Sequence, residues 1–174
     1  MYVKVPLDRV GVIIGANGST KRKIERLGVT LNIDGESGSI QINASDPLRE
    51  MTTSEVIRAI GRGFSPEKAL LLFEDEMLML DIMDLSKIFT TKKDVIRVKG
   101  RIIGREGKTR ELMESLTGAK ISVYGKTVGI IGTPDQIQTV RKAVEMLIKG
   151  APHASVYSYL EKQRREMKIY GIFK

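Results

Sequence analysis

Lys99-Gly100-Arg101-Ile102-Ile103-Gly104-Arg105-Glu106-Gly107-Lys108-Thr109-Arg110 is the stretch from which the rest of the chain is read. Two aliphatic residues run into a Gly-x-x-Gly turn, and the turn runs into a charged, helix-favouring segment. Having no Cβ, Gly104 and Gly107 let another backbone approach closely, and either can take φ > 0. Lys108 and Thr109 open a segment whose first amides have no partner within the helix. Those donors, with the helix dipole, favour an anion. Basic side chains flank the turn on both sides. Steric access, backbone donors and positive charge together suit a phosphodiester.

A single Gly-x-x-Gly is a weak signal, but a second copy lies upstream: Val12-Ile13-Ile14-Gly15-Ala16-Asn17-Gly18-Ser19-Thr20-Lys21-Arg22. Ile-Ile-Gly-x-x-Gly-x-Thr-basic therefore occurs twice. Leu27-Gly28, Leu31, Ile33 and Gly35 answer Leu116, Gly118, Ile121, Val123 and Gly125. Farther on, Gly63, Pro66 and Phe73-Glu74 answer Gly150, Pro152 and Leu160-Glu161. The chain is one unit written twice. The repeat predicts two small domains, residues 1–75 and 76–174.

With 174 residues, 41% of them apolar, each half can pack its own core. No cysteine is present, which excludes disulfides, thiol catalysis and the usual ligands of structural zinc. That suits a reducing, cytoplasmic setting. Met1 to Pro6 does not read as a signal peptide, and no apolar run is long enough to span a bilayer. A net charge of +8 and a pI near 9.7 point to a polyanionic partner. The charge is also segregated. Lys92, Lys93, Arg97, Lys99, Arg101, Arg105, Lys108 and Arg110 face only Asp94 and Glu106 in their stretch, whereas Glu74, Asp75, Glu76, Asp81 and Asp84 form an acidic one.

Along the chain, Tyr2 to Val5 alternates as a strand, Leu7 to Ile14 reads as a helix, and Ser19 is the expected N-cap of a helix over Thr20 to Leu27 with Gly28 as its C-cap. Leu31 and Ile33, then Ile40 and Ile42, alternate on either side of a turn over Gly35 to Gly38, which predicts a hairpin. A helix starting at Ser45-Asp46-Pro47 is expected to break around Met51 to Ser54 and resume to Gly61. Pro66 to Phe73 predicts a short amphipathic helix. Met77 to Leu85 suits a strand or a buried helix, and the repeat requires a strand there. Leu85 to Thr91 connects to a helix over Asp94 to Ile103, the turn, and a helix over Thr109 to Leu116. Lys120 to Tyr124 and Thr127 to Ile131 form a hairpin around Gly125. Helices follow over Pro134 to Ile148 and Ser155 to Met167, then a tail from Lys168 to Lys174.

Strand–helix–Gly-x-x-Gly–helix–strand–strand–helix, with Ile-Ile-Gly-x-x-Gly at the turn, resembles the type I, eukaryotic-type KH domain, βααββα. The expected fold is therefore α+β, two tandem KH domains with extra helices after each. The resemblance implies single-stranded RNA held by a glycine loop that clamps its backbone. Gly61-Arg62-Gly63-Phe64 after the first unit, Gly150-Ala151-Pro152-His153 after the second, and Asp81-Ile82-Met83-Asp84-Leu85 between them resemble, more narrowly, the ribosome-assembly KH proteins. In that family the RNA is the 3′ end of small-subunit rRNA and the protein partner is the nuclease that matures it. The compact length is similar to an archaeal member. The resemblance implies a protein that is not an enzyme, with no cofactor and no membrane, whose partners are rRNA and an assembly or translation factor.

The residues expected to meet RNA are Ile14, Gly15, Ala16, Asn17, Gly18, Lys21 and Arg22 in the first copy. In the second they are Lys99, Arg101, Ile103, Gly104, Arg105, Glu106, Gly107, Lys108, Arg110 and Val123. Arg62, between two glycines at a helix end, is expected to clamp a phosphate or to join the domains. Ile13, Ile14 and Ile33, with Ile102, Ile103 and Val123, are either an aliphatic floor for unstacked bases or core. Ala16-Asn17 lacks the charge of Arg105, so the second copy is expected to bind more strongly. The rival reading is an interaction adaptor: the first copy is scaffold, and the extra helices bind a nuclease or translation factor. A P-loop is excluded, because the glycine it needs five positions before Gly107 is Ile102. His153 has no constellation to join and reads as a helix-start residue.

Overall fold

Both copies of the repeat fold in the same order, as a computed structural model describing residues 1–170 shows. The first unit runs β1 (Tyr2–Lys4), α1 (Leu7–Ile14), glycine turn, α2 (Ser19–Glu25), β2 (Thr30–Ile33), β3 (Ser39–Asn43) and α3 (Pro47–Gly61), then two single turns, α4 (Pro66–Ala69) and α5 (Leu71–Glu74). The second runs β4 (Met79–Asp84), α6 (Lys92–Ile103), glycine turn, α7 (Lys108–Thr117), β5 (Lys120–Tyr124), β6 (Thr127–Gly132), α8 (Pro134–Ile148) and α9 (His153–Ile169). The fold is α+β, and contacts divide the chain at Glu76 and Met77. Of the expected tail, residues 171–174 lie outside the described residues.

Each unit builds one antiparallel sheet, β1-β3-β2 and β4-β6-β5, with the last strand in sequence placed in the middle. Period-2 alternation fixes the register. Leu31 pairs with Ile42 and Ile33 with Ile40, so the apolar side chains share one face and Asn32 and Gln41 share the other. In the second sheet Ile121 pairs with Ile130 and Val123 with Val128. Helices cover the apolar face. Ile13, Ile24, Ile40, Ile42, Ile57 and Ile60 are fully buried in the first unit; Leu85, Val98, Ile102, Met113, Ile130 and Val140 are fully buried in the second. Each such side chain contributes about 1.5–3 kcal/mol.

Four local expectations are corrected. Helix α3 is continuous, because the Thr52, Thr53 and Ser54 hydroxyls donate back to the carbonyls of Leu48, Arg49 and Met51 at 3.0, 2.7 and 2.6 Å. Ser19 is the first helical residue rather than the N-cap; left-handed Gly18 precedes it. The segment Pro66 to Phe73 divides at Leu70. Helix α6 begins at Lys92 because Thr91 caps it, its Oγ1 accepting from the Asp94 amide at 3.2 Å.

Candidate nucleic-acid interface

The two glycine turns share one backbone. Gly15 sits at φ 76°, ψ 173° and Gly104 at 77°, 174°, a region open essentially to glycine alone. Asn17 (54°, 30°) and Glu106 (55°, 27°) are left-handed, as are Gly18 (75°, 15°) and Gly107 (76°, 10°). A close approach adds to the backbone requirement. A Cβ on Gly15 would collide with Thr20 Oγ1 and stand 2.7 Å from its amide nitrogen; a Cβ on Gly104 would do the same to Thr109. The threonine repeated in both motifs is therefore the residue the first glycine packs on. Nothing crowds Gly107 so closely, the nearest atom being Arg110 Nη2 at 3.8 Å, so its φ alone calls for glycine.

A second glycine pair escaped the sequence reading. Gly11 and Gly100 occupy equivalent helical positions, one turn before the loop, and their carbonyls accept from the Gly15 and Gly104 amides at 2.9 Å. Both are exposed, and no heavy atom lies within 4 Å of where their Cβ would be. A mid-helix glycine costs about 1 kcal/mol relative to alanine, and nothing in the fold requires one here. Each unit thus presents bare backbone beside its glycine turn. The available signal was a glycine four residues before the motif in both copies.

The structure separates the expected cations into free and engaged. Arg105 and Lys108 are exposed and Lys99 is half-buried; none has an ion-pair partner among the described residues. Arg101 is engaged: its Nη1 donates to Leu147 O and its Nη2 to Ala151 O at 2.6 Å, closing the end of α8. Arg9 does the same in the first unit, donating to Ile60 O at 2.8 Å and Phe64 O at 2.9 Å. Lys21 pairs with Glu25 at 3.2 Å and Arg110 with Glu114 at 2.5 Å, equivalent i, i+4 pairs on α2 and α7. Glu114 also accepts from the Ile121 amide at 2.9 Å, tying α7 to β5. Arg22 donates to Asn17 O at 2.7 Å and so braces the first loop from within. Arg62 belongs to the end of α3, its Nε 3.2 Å from Gly61 O, and does not stand on the loop.

Of the aliphatic floor, Ile13 and Ile102 are wholly buried and belong to the core. Ile14, Ile33, Ile103 and Val123 are half-buried and can meet a ligand. Phe64 is 2% exposed and is no stacking platform. Ala16 and Asn17 lie exposed on the first turn, as Arg105 and Glu106 do on the second. In the hairpin loop of the first unit, the Ser37 hydroxyl, then the amides of Glu36 and Ser37, hold the Asp34 carboxyl below the ordinary carboxylate range. Glu74, Asp75 and Glu76 are exposed, and among the described residues no group of three or more His, Asp or Glu is placed to hold a metal. No helix of the described residues is long and apolar enough to cross a membrane.

Comparison with known proteins gives the same arrangement. The KH domain family matches residues 1–72, and the second KH domain of PNO1, described as a eukaryotic type KH-domain (KH-domain type I), matches residues 79–165. A KH domain-containing protein of Methanocaldococcus jannaschii is 46% identical over 171 residues, covering 95% of this chain and 74% of that protein. The pre-rRNA-processing protein PNO1 of Saccharomyces cerevisiae is 26% identical over 147 residues; the match spans 82% of this chain but 54% of the yeast protein. A chain in the crystal structure of the a/eIF2alpha-aDim2p-rRNA complex from Pyrococcus horikoshii OT3 superposes with a TM-score of 0.88 at 45% identity, covering 95% of this chain and 94% of that one.

Proposed function

Since this chain belongs to the PNO1/Dim2 family of tandem KH proteins, we propose that it is a non-catalytic RNA-binding factor of rRNA processing whose RNA is the single-stranded 3′ end of small-subunit rRNA. The second unit is the stronger binder. Its glycine turn, with Arg105 and Lys108 exposed and Lys99 half-buried, holds the sugar-phosphate backbone, while Ile103 and Val123 receive unstacked bases. Aliphatic contact replaces the aromatic stacking of other single-strand binders. The first unit has the same turn without its cations: Ala16 and Ser19 stand where the second has Arg105 and Lys108. It contributes backbone donors and shape.

The observation that carries this reading is the bare backbone at Gly11 and Gly100. Helices avoid glycine, the fold leaves open space above both positions, and a ligand lying along the helix accounts for the vacancy. A protein partner is also supported: the superposable aDim2p chain comes from a complex with a/eIF2alpha and rRNA. We assign this chain a translation-factor subunit of that kind as partner, and the cytoplasm as the place of assembly.

The test is fluorescence anisotropy near physiological ionic strength, where weak phosphate contacts are largely screened. An unpaired 3′-end rRNA oligonucleotide is expected to bind clearly better than the same strand annealed to its complement. Equal affinity for both would reduce the interaction to general charge attraction and remove the KH reading of function.

A further inference from the structure

Helix α9 grips the second glycine turn from both sides. His153 and Tyr157 lie one turn apart on the same face of α9, their rings 6.1 Å apart. His153 Nε2 is 3.0 Å from Arg101 O. A carbonyl oxygen only accepts, so that nitrogen carries the proton. Arg101 O belongs to the last turn of α6, where carbonyls lose their helical partners as the chain turns away at Gly104. Tyr157 Oη is 2.9 Å from Thr109 Oγ1. Thr109 is 3% exposed and is the residue on which Gly104 packs. One contact thus falls three residues before the first loop glycine and the other two residues after the last.

The first unit is held differently. Thr20 occupies the place of Thr109, yet its hydroxyl has no hydrogen bond among the described residues. The first loop is braced by Arg22 on Asn17 O, within its own motif. At the corresponding place in the second unit stands Glu111, exposed and unable to donate to a carbonyl. The second loop has exchanged an internal brace for one supplied by an added helix.

We propose that α9 is the positioning element of the second RNA-binding loop, with Tyr157 and His153 as its positioning residues. They hold the two ends of the turn so that its amides and Arg105 are already arranged for a phosphodiester. Neither residue touches the RNA. The inference rests on the RNA-binding reading above and adds to it a dependence of loop order on a helix outside the KH core.

Tyr157→Phe removes the hydroxyl and keeps the packing. In the RNA-free protein, 15N order parameters of residues 105–108 are expected to fall from the rigid level of about 0.85 in Tyr157→Phe, with the thermal midpoint lowered by several degrees as the buried Thr109 hydroxyl loses its partner. Affinity for the unpaired oligonucleotide should weaken roughly two- to tenfold, the worth of one hydrogen bond. Thr109→Val should reproduce both effects, Thr109→Ser should restore wild-type behaviour, and the double variant should be no worse than either single one. Unchanged loop order in Tyr157→Phe, or a loss that Thr109→Ser shares, would overturn the proposal. Should the wild-type protein show no preference for unpaired RNA, the RNA-binding reading falls. The order parameters, measured without RNA, still decide whether α9 braces the loop.

Discussion

Replacing Gly100 with alanine sets stability against binding. The residue lies inside α6, at the surface, and a Cβ there meets no atom within 4 Å. Alanine is favoured over glycine in a helix by about 0.8–1.0 kcal/mol, and part of that gain comes from a less flexible unfolded chain. With no clash to subtract, the second unit should gain nearly all of it, a rise of about 4–8 °C in midpoint for a domain of this size. RNA affinity should move the other way, because the methyl group enters the bare strip along which we place the ligand. A single displaced backbone contact of one or two hydrogen bonds predicts a loss of about tenfold. Gly104→Ala is the contrasting control. Its φ of 77° and the collision with Thr109 make it lose stability and affinity together, with strain of about 1–3 kcal/mol. Calorimetry with anisotropy on the same samples separates the two patterns. If Gly100→Ala is stabilised and binds as well as the wild type, nothing passes over that helix and the chief support for the RNA groove is gone.

Changing Arg105 and Glu106 together to aspartate should leave the fold intact, since the turn is exposed and Asp tolerates the left-handed φ of 55° at the second position; RNA affinity should drop steeply and the salt dependence become shallower. The same pair at Ala16 and Asn17 should cost less, and a larger loss there would reverse the ranking of the two units. Arg101→Ala should act mainly on stability, lowering it by about 1–3 kcal/mol as two carbonyls at the end of α8 lose their donor; Arg9→Ala should do likewise in the first unit, and thermal melts of each variant check both. Because hydrogen bonds from Ser37 and Glu36 depress the Asp34 carboxyl, its NMR titration should fall below the ordinary value of 3.8. The contribution of that carboxylate to the hairpin is present at neutral pH and lost as pH falls through its folded value. A midpoint at or above 3.8 would contradict the arrangement.

The chain itself declared two copies of one unit, the order of elements in each and the place of the glycine turn. These are short-range properties. Ile-Ile-Gly-x-x-Gly-x-Thr spans eight residues, the alternation through Leu31, Ile33, Ile40 and Ile42 sits within one hairpin, and Asp46-Pro47 and Thr133-Pro134 mark helix starts by local capping chemistry. Which isoleucine of each pair is core was not legible, because Ile13 and Ile14, or Ile102 and Ile103, differ only in which way the helix turns them. Nor was the continuity of α3, where hydroxyl side chains that usually disfavour a helix bond back along it. The cations were hardest. Lys21, Arg22, Arg101 and Arg110 look like phosphate ligands beside a glycine turn, and all four are engaged within the protein. The partners of Arg101 lie 46 and 50 residues along the chain, at the end of α8, and Tyr157 reaches Thr109 across 48. A long side chain takes whatever acceptor the fold brings within about 3 Å of it, and for Arg101 and Tyr157 only the packing of α8 and α9 against α6 and α7 decides what that is.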